Sequence, residues 1–356
     1  MKSAIITDTH WGVRGDSREF LDYFVKFYSE QFFPELDKRN IKTIFHLGDI
    51  VDRRKYINFV TLRSLRTHFI EQAEKRNIDV HIIVGNHDIP YRNTNEVNAI
   101  REVFSRYKNV HLYSEPQEID ADGCKILLMP WINNTNYKDC FDAIKATKSQ
   151  VMFGHLEIKG FEMYRGMPSH EGLESILFEK FDIVASGHFH KKSHRGNIHY
   201  LGTPYQMMWN DYDESKGFHI FDTETREFEF IINPFSMFHK VWYNDENKEM
   251  EEVVKKDFSY LKNTYVKAVI QNKTNPYWFD IWINKIYEAE PLNVSIVEDH
   301  RNLDTMSDED ILENAEDTLT VLSKYVTALE TKANKNDLEK LVRSLYNEAI
   351  DLESGE

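Results

Sequence analysis

Residues 3–10 read Ser-Ala-Ile-Ile-Thr-Asp-Thr-His, an apolar run that closes on Asp8-Thr9-His10. A short, β-branched run of this kind predicts a strand buried on both faces. The Asp-x-His at its end puts both side chains on one side of an extended segment, because side chains alternate with period two. The pattern then recurs along the chain. Residues 43–47 lead into Gly48-Asp49-Ile50-Val51-Asp52, and residues 80–84 lead into Gly85-Asn86-His87-Asp88. Residues 151–153 lead into Gly154-His155, and 182–186 into Gly187-His188-Phe189-His190. A further apolar run at 125–129 completes six predicted strands. The chemical blocks sit where strands end, which is the edge at which an α/β fold builds its chemistry.

Amphipathic stretches at 18–39 and 58–76 separate the first three strands, and shorter helical patterns follow at 95–107 and 139–148. Strand alternating with helix means a layered α/β core, to which Phe20, Phe24, Phe27 and Phe32 contribute. Beyond Gly196 the texture becomes strand–turn–strand, at 198–201, 218–221 and 227–232. This predicts a second sheet packed face to face on the first, giving a four-layer α-β-β-α sandwich over residues 1–235. Residues 236–303 hold a strand (264–270), a helix (278–289) and a strand (293–297), the makings of a small α/β cap. From Ser307, with Asp308-Glu309-Asp310 in the first turn, two helices are predicted at 308–330 and 335–352, so that 304–356 form a C-terminal helical segment.

An apolar fraction of 41% and an aromatic fraction of 13% exclude a disordered chain. No apolar run approaches the roughly 18 residues that a membrane span needs, and Met1 leads straight into a strand, so neither a span nor a secretory leader is expected. Cys124 and Cys140 fall outside any metal-ligand spacing and read as reduced thiols of a cytoplasmic protein. The net charge of −15 argues against a polyanionic substrate until its distribution is counted. Residues 1–235 carry 30 basic and 34 acidic side chains (−4), and residues 236–356 carry 14 and 25 (−11). The acidity is C-terminal, and at ordinary salt it is screened beyond about 8–10 Å.

Asp8, His10, Asp49, Asn86, His155, His188 and His190 read as one metal site. Nitrogen and oxygen donors without a thiolate suit borderline divalent ions such as Mn²⁺, Fe²⁺ or Zn²⁺. Seven ligands are too many for one ion and enough for two that share a bridging carboxylate. Two dications bring +4 and the two aspartates return −2, leaving about +2 to attract a phosphate. Glycine before Asp49, Asn86, His155 and His188 lets the backbone turn and approach closely. His46, His81, His111, His199 and His219 read instead as structural. Asp52 is expected to orient a ligand, and His170, in a Gly/Pro/Ser loop, is balanced between substrate contact and loop packing. Arg53, Arg54 and Lys55, with Lys191, Lys192 and Arg195, flank the cavity as candidate phosphodiester contacts.

Taken in order, Asp-x-His, Gly-Asp-x-x-Asp, Gly-Asn-His-Asp, Gly-His and Gly-His-x-His resemble the calcineurin-like metallophosphoesterase superfamily. Within it the chain is similar to the SbcD-type nuclease subunits of DNA break-repair complexes, bacterial and T4-like phage. Residues 48–55, 129–131, 166–170 and 200–204 carry that further likeness. The resemblance implies that Asp8, His10 and His190 hold one metal and Asn86, His155 and His188 the other, with Asp49 bridging. It makes His87 the unligated catalytic residue that contacts the scissile phosphate and assists the leaving group. Some relatives carry a catalytic histidine where this chain has Asp52. The implied activity is a two-metal, Mn²⁺-dependent DNA nuclease, 3′→5′ on duplex and endonucleolytic on single strands. The implied partners are DNA, a second copy of the chain through the helices near the site, and an SMC-like ABC ATPase (SbcC-type) docked by the C-terminal helices. No membrane is implied, and the location would be cytoplasmic, the host cytoplasm for a phage protein. A protein phosphatase is the rival suggested by Gly-Asp-Ile-Val-Asp-Arg, although His-x-His at 188–190 is unlike that group. A DNA-tethering scaffold is the third reading, disfavoured by the complete ligand set.

Overall fold

The computed structural model describes residues 1–298 except 92, 165 and 166, together with 326, 334, 335, 338, 341 and 342. The helices expected at 308–330 and 335–352 lie, apart from those few positions, outside the described residues. The strands in chain order are β1 (Lys2–Ile6), β2 (Thr43–His46), β3 (Asp79–Ile83), β4 (Val110–Tyr113), β5 (Gln117–Ala121) and β6 (Cys124–Met129). They continue as β7 (Val151–His155), β8 (Glu162–Tyr164), β9 (Met167–Pro168), β10 (Ile183–Gly187), β11 (Ser193–Arg195) and β12 (Ile198–Tyr200). The last five are β13 (Gly217–Asp222), β14 (Phe228–Ile232), β15 (Phe238–Asn244), β16 (Tyr265–Asn272) and β17 (Asn293–Glu298).

Two six-stranded sheets form the body, in the orders β14-β13-β1-β2-β3-β4 and β11-β12-β10-β7-β6-β5. The six buried strands of the sequence thus divide three and three between the sheets. The region beyond Gly196 does not make the second sheet by itself, which corrects the expectation. β12 lies along β10, whereas β13 returns to pair antiparallel with β1, Lys2 opposite Asp222. The reason is in β13 itself. Phe218 and Ile220 face the helix layer and Phe221 faces the other sheet, so a strand apolar on both faces is buried inside the first sheet, between those two layers.

Between the sheets lie Ile5, Phe45, Ile83, Ile126, Phe153, Ala185 and Phe221. Helical residues 18–39 cover the outer face of the first sheet. They start at the Ser17 cap, pass through a π-helical turn at Tyr28–Phe32 and stop at the left-handed Asn40. Phe20, Phe24, Phe27 and Phe32 are buried beneath them. Residues 59–75 lie beside this helix after the Asn58 cap, and Tyr137–Ala146 covers the second sheet with Cys140 and Ile144. The pattern at 95–107 yields only the helix Ala99–Phe104, because the Asn98 side chain accepts from Arg101 N and starts the helix there. These are the four layers, α-β-β-α.

A parallel three-stranded sheet, β15-β16-β17, follows, with Met250–Val254 and Pro276–Glu288 packed on one face around Val266, Ala268 and Trp282. β15 was not legible in the sequence pattern. Its first residue, Phe238, belongs to the main core beside Phe20 and Trp209, and roots this small unit on the sandwich.

Candidate metal centre

Because β1, β2 and β3 run parallel, their C-terminal ends lie side by side, and so do those of β7 and β10. Asp8 and His10 follow β1, Asp49 follows β2, and Asn86 and His87 follow β3. His155 ends β7, and His188 and His190 follow β10. The chain turns abruptly at these points. Asp8, His10, Asp49 and His188 have φ of 51°, 39°, 55° and 87°, a region that residues with a β-carbon seldom adopt. Such strain persists only where the surroundings impose it. The glycines serve close approach as well as turning. A β-carbon on Gly85 would collide with Asp49, and one on Gly187 with Thr7 Oγ1, while Gly154 meets nothing closer than Leu156 Cγ at 3.0 Å.

Sequence reasoning passed over the residue that binds these turns together. The fully buried Asp88 accepts from the amides of Asp49 (2.9 Å), Ile50 (2.9 Å), Val51 (3.3 Å) and Gly85 (2.9 Å). It thereby locks the loop after β2 to the loop after β3. Burial pushes its carboxyl up to about 6, with the Asp49 charge adding and the amides offsetting in part. Its position at the end of Gly-Asn-His-Asp was the available signal.

All seven candidate ligands converge, and His87 with them. Asp8, His10 and His190 bring one donor atom each within 4.8 Å of one another, as do Asp49, His155 and His188. Asn86 joins the second group through Oδ1, 3.0 Å from both His155 Nε2 and His188 Nδ1. Asp49 Oδ2 lies 3.3 Å from His155 Nε2 and 3.8 Å from His10 Nε2, between the two groups. His10, Asp49 and His87 form a third set at the same range, so distance alone does not separate His87 from the ligands. Its Nδ1–H donates to Asp52 O at 2.6 Å, which leaves Nε2 for chemistry, and its amide donates to Asp49 Oδ1 at 2.7 Å.

Burial holds the imidazoles of His10 and His188 well below their ordinary range and His190 at about 4, so their lone pairs are open near neutral pH. His10 Nε2 and His190 Nε2 face each other at 3.1 Å. Burial also pushes Asp8 up to about 7, although the charge of His155 pulls the other way. On His155 itself burial opposes a charge, but Asp49 outweighs it and holds the ring at about 9. Its Nδ1–H donates to Leu47 O at 2.7 Å and so fixes Nε2 toward the centre. Two imidazole nitrogens 3.1 Å apart, a carboxyl raised by burial and an imidazole proton held against Asp49 describe a donor set short of positive charge. A pair of borderline divalent ions fits it, and their binding would displace the His155 proton.

The remaining candidates surround this centre. The Asp52 carboxylate lies 3.6 Å from His10 Nδ1, where it can orient that ring. His170 is exposed in the loop after β9. Among the flanking cations, Arg53 pairs with Asp16, Lys191 with Glu162, Lys192 sits over the Phe230 ring and Arg195 donates to Gly160 O. Lys55 is exposed. His46, His81, His111, His199 and His219 pack on Thr9, Phe45, Asp79, His194 and Phe230 respectively. Trp131, at the end of the Met-Pro-Trp block, lies against His188 with ring centroids 5.0 Å apart.

Comparisons with known proteins show the family to which the chain is similar. A family model described as calcineurin-like phosphoesterase matches residues 1–214. Exonuclease subunit 1 of Enterobacteria phage T4 is 32% identical over 353 residues, covering 98% of this chain and 99% of that protein. The SbcD component of nuclease SbcCD from Staphylococcus epidermidis is 24% identical over 258 residues, 64% of this chain and 67% of that one. Among solved structures, a novel archaeal phosphodiesterase aligns over 65% of this chain and 100% of that one, at 13% identity and a TM-score of 0.32, too loose a likeness to argue from. With more than half of its length matched by that model, and nearly all of it by a relative at 32% identity, the chain belongs to the calcineurin-like phosphoesterase family.

Proposed function

We propose that this metallophosphoesterase is a Mn²⁺-dependent DNA nuclease, 3′→5′ on duplex and endonucleolytic on single strands. It would be the catalytic subunit of an ATP-dependent complex that processes double-strand breaks for repair and recombination. The observation that carries the reading is the place of Asp49, whose carboxylate lies between the Asp8/His10/His190 and Asn86/His155/His188 groups and so can bridge two ions. The likeness to an exonuclease subunit and to a nuclease subunit supports DNA as substrate and a partner subunit.

Two bound divalent ions would supply Lewis acidity, activating water and neutralising phosphate charge. The chain's residues do the rest. Asp8, His10 and His190 would hold one ion, and Asn86, His155 and His188 the other. His87, its Nδ1–H held by the Asp52 carbonyl, would pass a proton from Nε2 to the departing sugar oxygen. Asp52 would steer His10. Exposed Lys55 is suited to a backbone phosphate, a contact that positions DNA without reading its sequence.

In this reading residues 1–235 are the nuclease domain, 236–303 a cap that orients DNA, and 304–356 the dock for an SbcC-type ABC ATPase. Self-association into a homodimer is supported by exposed apolar side chains at the start of the 59–75 helix, Phe59 (84% exposed) and Val60 (54%), and by Tyr56 (63%) just before its Asn58 cap. No described helix is long and apolar enough to cross a membrane, and the host cytoplasm is the proposed location.

His87→Asn tests the central role. Cleavage of end-labelled duplex DNA in Mn²⁺ should fall by about 10²–10⁴-fold while two ions remain bound. Undiminished cleavage would remove His87 from the chemistry, and loss of an ion would make it a ligand.

A further inference from the structure

A buried polar chain runs from the root of the cap to the backbone of His190. The amides of Met237 and Phe238, where β15 begins, donate to Gln206 Oε1 at 2.8 and 3.0 Å. Gln206 Nε2 donates to Asp211 O at 3.1 Å, so both ends of this buried amide are used. The Asp211 carboxylate accepts from Met207 N and Met208 N through Oδ2 and pairs with Lys216 Nζ through Oδ1 at 2.7 Å. Lys216 Nζ also meets Glu214 Oε2 at 2.9 Å and donates to the carbonyl of His190 at 3.1 Å. Thr203 N reaches the same carbonyl at 3.1 Å.

The side chains of Lys216 and Asp211 are each only 4% exposed. Lysine is rarely buried to this degree, and a buried pair is weak evidence for stability, since similar apolar packing often serves as well. What this pair does that apolar packing cannot is hold a carbonyl in one place. The cap's root is held from the same segment, with Arg14 Nε donating to Met207 O at 3.1 Å beside the Phe238 ring, and Trp209 packed on Phe238 at 4.9 Å.

We infer that Gln206, Asp211 and Lys216 form a positioning relay that fixes the His190 backbone according to how the cap is seated, so that cap docking sets the strength of the metal site to which His190 belongs. This rests on the reading of His190 as a ligand. Lys216 touches no reacting atom; it acts through His190. A cap displaced by DNA or by a partner would slacken or tighten that one site and leave the Asn86/His155/His188 site alone.

The test is Mn²⁺ titration of the full chain by calorimetry, with bound ions counted by electron paramagnetic resonance. Lys216→Gln keeps a donor for the carbonyl and removes the charge; it should weaken one of two Mn²⁺ sites by about tenfold. Gln206→Met, which strands no buried charge, is the second variant and should weaken the same site by about threefold. Because both act on one chain of contacts, the double variant should be no weaker than Lys216→Gln alone, and raised Mn²⁺ should restore its kcat. Additive losses, equal weakening of both sites, or wild-type Mn²⁺ affinity in the folded Gln206→Met chain would overturn the relay. His190→Ala separates the two readings. If it binds two ions as tightly as the unsubstituted chain, the ligand assignment fails and the relay with it; if it loses one and the relay variants lose nothing, only the relay fails.

Discussion

The two six-stranded sheets bring different chemistry to the seam between them. The first sheet, through the loops after β1, β2 and β3, delivers both carboxylates, the Asn86 amide, His10 and His87. The second, from the ends of β7 and β10, delivers only imidazoles, His155, His188 and His190. The loops differ as well. Three of the four strained candidate ligands are on the first sheet, where Asp88 clamps two loops by their amides. The second sheet relies on close approach, with Gly187 against Thr7 and the His188 amide on the Asp8 carboxylate at 3.0 and 3.1 Å. Anionic donors from one layer and neutral donors from the other mean that neither sheet holds a complete site. The centre exists only where the sheets are packed on each other.

Removing the Asp49 carboxylate, which lies between the two groups, is the harshest way to break this division. Asp49→Ala should abolish Mn²⁺ binding at both positions and all measurable DNA cleavage; retention of one tight ion would show that Asp49 does not serve both. Asp88→Ala comes next. It strands four buried amides and should cost at least about 4 kcal/mol in urea unfolding, with metal binding lost alongside. A smaller loss would mean that the loops after β2 and β3 keep their shape unaided. Gly187→Ala presses a methyl group into Thr7, Asp8 and the Leu47 carbonyl at the point where the sheets touch. Overpacking of this kind costs about 1–3 kcal/mol, and Mn²⁺ affinity should drop with it, whereas Gly154→Ala, which would meet Leu156 Cγ at 3.0 Å and Met129 O at 3.3 Å, should cost less.

Acid separates the sheets most gently. His46 on β2 and His219 on β13 are both held by burial at about 3, against about 6.5 unfolded. With folded values below unfolded ones, the unfolded chain binds more protons at these two positions between those limits, so the stability they contribute is full above pH 6.5 and declines as pH falls toward 3. At pH 5 each should have cost about 2 kcal/mol, read from urea midpoints between pH 8 and 5. His219→Phe should flatten the decline; an unchanged slope would show that His219 is protonated in the fold.

The candidate ligands were legible because each is local, a polar residue directly after an apolar run, and the order of blocks is itself a sequence property. What each strand pairs with was not. β13 resembles any buried strand, and only the folded chain shows that it closes against β1 from the far end of the domain. β15 (Phe-His-Lys-Val-Trp-Tyr-Asn) alternates imperfectly, since Phe238 turns into the main core while Val241 and Tyr243 face the helices of the small three-stranded unit. Asp88 was hidden for a different reason. Its partners are backbone amides up to 39 residues away, and no side-chain pattern announces them. Lys216 was hidden likewise, a lysine among acidic neighbours that reads as surface and is buried.

The claim that two sheets together build one two-ion nuclease centre is tested most directly by counting Mn²⁺ bound per chain in the unsubstituted protein and in Asp49→Ala, with cleavage of labelled DNA followed in the same samples. Two ions per chain, lost together with cleavage on substitution of Asp49, is the predicted result. A single ion in the unsubstituted chain, or DNA cleavage that survives the loss of both, would contradict it.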